Sequence, residues 1–123
     1  MLMKSLRKLK KIKGDASFRE FYRNKENKSI VVLSKKEKFK NLLIYDAINK
    51  ILIKNKILAP NLLSENYINN FIEINDFGDQ TLFEILKNKR NDKFNTFKKV
   101  VKILNKIQSI KDKKVKNFKN KLY

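Results

Sequence analysis

No uninterrupted apolar run in this chain of 123 residues is longer than four, as in Ile30-Val31-Val32-Leu33 and Leu42-Leu43-Ile44-Tyr45. A helix crossing a bilayer needs about 20 such residues. The interior must therefore be assembled from several short apolar pieces, each covered by another element. A chain of this length makes one modest domain with one core. The sequence contains no Cys and no His. Disulfide and thiolate chemistry are excluded, and the commonest general base and zinc ligand are absent. Residues 1–13 are basic but lack the apolar block of a secretory signal, so a soluble cytoplasmic protein without membrane contact is expected.

The formal net charge is +19, carried by 31 basic residues of which only Arg7, Arg19, Arg23 and Arg90 are arginine. Clustered cations bind polyanions by displacing counterions, and specific nucleic-acid readers favour arginine for its bidentate geometry. The excess here is in Lys, Asn and Ile together, which is the product of AT-rich coding. The charge is read as a solvated surface. A small basic module for nucleic acid or another acidic partner is the alternative reading.

Apolar residues at 3, 6, 9 and 12 suggest a short helix, or a helix running into a strand. Residues 18–23 and 29–34 read as two strands joined by the polar turn 24–27, the second with a β-branched centre. Residues 36–55 carry a broad apolar helical face opposite lysines, and Pro60 closes that unit. Residues 62–65 and 67–76 suggest a second hairpin, turned near Asn66 or at Asn69-Asn70. Beyond Gly78 the pattern returns to helix, over 81–86 and then along Phe94, Phe97, Val101, Leu104 and Gln108. The fold class expected is α+β: about five antiparallel strands with one packed helix, followed by further helices.

Two segments invite a functional reading. The first is Gly14-Asp15-Ala16-Ser17-Phe18-Arg19, leading into Phe21-Tyr22-Arg23. Small residues between strands let backbone N–H groups approach a phosphate, and a Gly relieves the tightest dihedral. The second is Asp76-Phe77-Gly78-Asp79, followed by Thr81-Leu82. Asp-Phe-Gly is also the tripeptide by which protein kinases hold magnesium, but there it follows the catalytic loop. Here no such loop precedes it.

Together with Leu58-Ala59-Pro60 and Ile107-Gln108, these segments resemble, in order, the anomeric kinases of N-acetylmuramate and N-acetylglucosamine. Those enzymes belong to the aminoglycoside phosphotransferase family. The resemblance covers most of residues 9–110. It implies a protein-kinase-like N-lobe over 1–77, and over 78–123 the hinge exit and first helices of an incomplete C-lobe. It further implies ATP as ligand, with magnesium and an amino-sugar substrate in a complete enzyme. Gly14, Asp15, Ala16, Ser17 and Phe18 would contact phosphates through the backbone. Arg19 would be an ion-pair partner or phosphate ligand, and Lys35 a phosphate contact. Asn75, Asp76 and Phe77 would form the hinge that meets adenine. Asp79 would cap the helix starting near Thr81 or contact the ribose.

The sequence departs from this pattern in two places. Strand 30–33 carries no lysine for the α- and β-phosphates, and no His-x-Asp loop or paired acidic magnesium ligands are present. The chain is therefore expected to be inactive in phosphotransfer by itself. The apolar faces of Val100, Leu104 and Ile107 are expected to lack their C-lobe partners, favouring self-association.

Overall fold

The computed structural model describes residues 8–14, 18–35 and 40–111. Its elements are β1 (Lys10–Ile12), β2 (Arg19–Asn24), β3 (Ser29–Ser34), α1 (Lys40–Lys54), β4 (Leu62–Asn66), β5 (Phe71–Asn75), α2 (Leu82–Lys87) and α3 (Lys93–Gln108). The strands form one antiparallel sheet in the order β1-β2-β3-β5-β4. The architecture is thus α+β, as the patterning predicts. β4 runs parallel to β3 with β5 between them, so α1 is the crossover that carries the chain over one sheet face.

Side chains alternate across a pleated strand, so register decides which residues share that face. Phe21 pairs with both Ile12 and Val32, Ile30 with Ile74, and Val32 with Ile72. Ile30, Val32, Ile72 and Ile74 make the buried centre with Leu42 of α1, and Tyr45, Leu62 and Tyr67 pack around it. Val32, Leu42 and Ile72 are fully buried, each contributing about 1.5–3 kcal/mol of apolar transfer. Asp46, turned inward on α1, pairs with Lys50 at 3.0 Å.

Local chemistry sets the ends of these pieces. Residue Lys56 (φ 58°) is left-handed, the Lys56 N–H bonds Ile53 O, and the Ile57 N–H reaches Leu52 O at 2.9 Å. That Schellman arrangement ends α1 and turns Ile57 into the interior. The second hairpin differs from the expected strand at 67–76. Residues Tyr67–Asn69 form a 3-10 turn because Asn66 Oδ1 accepts the Asn69 N–H and Asn70 adopts φ 61°. At the N-terminus residues 8–13 are not helical and 10–12 is strand; residues 1–7 of the expected helix, and the helical start expected at 36–39, lie outside the described residues.

Candidate functional site

The face that α1 covers is not covered along its whole length. At the end away from Tyr45, Ile12, Phe21, Ile30 and Ile74 form the apolar wall of an open hollow of about 290 Å³. Its rim is Pro60, residues 75–79 and Thr81. That volume is at the lower edge of small-molecule sites, which run from about 300 to 1,000 Å³.

The rim segment is held by a clamp on two carboxylates. Arg23 Nε donates to Asp76 Oδ2 at 2.5 Å, Arg23 Nη2 to Asp76 Oδ1 at 3.1 Å, and Arg23 Nη1 to Asp79 Oδ1 at 2.6 Å. The Arg23 and Asp76 side chains are 14% and 13% exposed, whereas Asp79 is 81% exposed. Arg23 holds the Asp76 carboxyl below the ordinary carboxylate range, and the Gly78 N–H adds to the effect. The same bonds, to Asp76 first and Asp79 second, push the Arg23 guanidinium up. Asp76 Oδ1 also accepts the Gly78 N–H at 2.8 Å, and Gly78 bends the chain at φ 83°. Upstream, the Asp76 N–H bonds Lys28 O, and Asn75 exchanges two bonds with the Asn61 backbone. Among the described residues, none hydrogen-bonds the main-chain N–H or C=O of Phe77, which lies exposed on the rim.

No protein-family model, curated protein or solved structure matches the chain.

The residues singled out from sequence fall into two groups. Asn75, Asp76, Phe77 and Asp79 come together at the hollow. Gly14, Phe18, Arg19 and Lys35 do not line it, and Asp15, Ala16 and Ser17 lie outside the described residues. Arg19 is on the same face of β2 as Phe21, with its guanidinium 5.1 Å from the Tyr45 ring and 5.9 Å from the Phe18 ring. Lys35 follows β3 and is exposed.

Two expectations are corrected. Gly14 relieves no tight dihedral: among the described residues the glycine with positive φ is Gly78, and a Cβ on Gly14 would meet open space. Asp79 does not cap α2. Thr81 does, accepting the Glu84 N–H at 3.2 Å, because Arg23 draws Asp79 toward β2.

Sequence reasoning missed the Arg23 clamp, although one signal pointed to it. In a chain whose cations are overwhelmingly lysine, an arginine marks a place where a planar fork is needed. Magnesium does not fit here. Among the described residues no three carboxylates gather, and Asp76 is committed to Arg23.

Proposed function

We propose that this chain is the nucleotide-binding lobe of an ATP-dependent sugar phosphotransferase resembling the N-acetylmuramate and N-acetylglucosamine kinases. One observation carries the reading. An apolar hollow on the helix-bearing face of a five-stranded sheet is edged by the Phe77 main chain, whose donor and acceptor are free among the described residues. That is the arrangement a flat heteroaromatic ring requires, and adenine presents an amino donor beside ring-nitrogen acceptors. It also occupies the place in the chain that the family resemblance assigns to the hinge between lobes.

β2 supports a direction for the nucleotide. On one face of β2 stand Arg23, Phe21 and Arg19 in succession, the Cα atoms of the two arginines about 13 Å apart at the rise of an extended strand. With the base against Phe21 and Phe77, the phosphates would extend along β2 toward Arg19. The lobe holds and orients the nucleotide. Transfer to a sugar hydroxyl needs a base and metal-binding carboxylates, and the described residues gather no such set. By resemblance, the complete enzyme would act on amino sugars recycled from the bacterial cell wall.

Adenosine is the discriminating probe, because ATP carries charge that a chain of +19 attracts unspecifically. Titration of the full chain should give saturable NMR shifts at the Phe77 and Gly78 amides and at the Ile30 and Ile74 methyls. Phe77→Pro, which removes the rim N–H, should abolish them. An absent response to adenosine, with steeply salt-dependent binding to nucleic acid, would replace this reading with the basic-module alternative.

A further inference from the structure

We infer that Arg23 is a positioning residue that latches segment 77–79 to the sheet and so presents the Phe77 main chain to the ligand ring. The inference rests on the nucleotide reading for its ligand, but not for the latch itself.

The geometry is that of a brace across the sheet. Arg23 sits on β2 opposite Ile30 of β3, and Ile30 in turn faces Ile74 of β5. Its side chain must pass over a whole strand to reach the residues after β5, about 10 Å at ordinary strand spacing. There it grips two carboxylates three residues apart, Asp76 with two nitrogens and Asp79 with the third. Among the described residues, 77–80 have no other hydrogen-bonded tie to the sheet, since the Gly78 N–H bonds locally to Asp76. Gly78 at φ 83° gives the bend but cannot fix its direction, because glycine is free on both sides of φ. Arg23 supplies the direction. A lysine would carry the charge without the fork, and could not hold both carboxylates at these angles.

The latch also determines what the rim offers a ligand. With both Asp76 oxygens engaged by Arg23 and the Gly78 N–H, the rim offers the Phe77 backbone donor and acceptor beside the exposed Asp79 carboxylate.

The test combines adenosine affinity with amide hydrogen exchange on the full chain. In Arg23→Gln, adenosine should bind roughly tenfold or more weakly. Exchange should quicken at Gly78 while the Ile72 and Ile74 amides inside β5 stay protected. Arg23→Lys should resemble Arg23→Gln, since the fork matters and not the charge. If wild type binds adenosine and Arg23→Gln binds it equally well, the latch is wrong and the nucleotide reading stands. If wild type does not bind adenosine but Gly78 protection still depends on Arg23, the latch stands and the nucleotide reading falls. Should Arg23→Gln fail to fold, Asp79→Asn serves in its place. That exposed carboxylate can be neutralised without burying a charge, and a loss of several-fold in affinity with faster Gly78 exchange is expected. No change in either would overturn the latch.

Discussion

The region from β1 to β5 and the region from α2 to α3 use apolar residues in opposite ways. Among the described residues, all the buried apolar ones lie between Ile30 and Ile74, and α2 and α3 contain none. Yet α3 is strongly amphipathic. Phe94, Phe97, Val101, Ile103, Leu104 and Ile107 are 40–76% exposed, on the arc opposite Lys98, Lys102 and Lys106. One contact with the sheet region comes from the lysine arc, where Lys106 Nζ donates to Lys56 O at 3.2 Å. The first region is a folding unit that closes on itself, and the second presents a surface made to be covered. The face expected from sequence at Val100, Leu104 and Ile107 is exposed at Leu104 and Ile107, while Val100 is half-buried.

Substitutions sharpen this contrast. The largest effect should come from Ile72→Ala in the closed core, about 2–5 kcal/mol in urea unfolding, because the site cannot collapse around the missing atoms. Gly78→Ala, at the junction of the two regions, should cost about 1–2 kcal/mol for forcing an alanine into positive φ. Leu104→Ala on α3 should cost less than about 1 kcal/mol, as for other half-exposed positions. A loss comparable to that of Ile72→Ala would mean that α3 belongs to the same core. The smallest effect should be that of pH on the clamp at the junction. Asp76 has a depressed folded pKa beside Arg23 and Asp79. Its contribution is therefore complete above the unfolded value of about 3.9 and is lost as pH falls through the folded value. The urea midpoint difference between wild type and Arg23→Gln should be flat from about pH 7 to 5 and shrink only below about 4.

The parts of the fold that depend on local pattern were legible in the sequence. The β-branched centre of β3, the apolar face of α1 and the periodicity of α3 each satisfy a short-range rule. The sheet order was not legible, because β3 pairs with β5 across some 40 intervening residues and no local signal encodes that choice. Tyr67 and Ile68 looked like strand residues, but an Asn66 side-chain bond and the left-handed Asn70 turned them into a 3-10 segment. At the candidate site the sequence named Asn75, Asp76, Phe77 and Asp79, which come together on the rim, and offered Asp79 as a helix cap where Thr81 serves instead. The choice between capping a helix and answering Arg23 depends on a side chain 56 positions away.

The sheet's two edges bear on how an uncovered α3 would express itself. β1 is three residues long, with Lys10 and Lys11 in it and Lys13 just beyond, and β4 has a register shift between Leu62 and Ser64. Short, lysine-studded or bulged edges resist the addition of foreign strands. Association of this chain with itself should therefore proceed helix to helix, yielding oligomers that dissolve on Phe97→Ser and Leu104→Ser and do not stain as cross-β fibres.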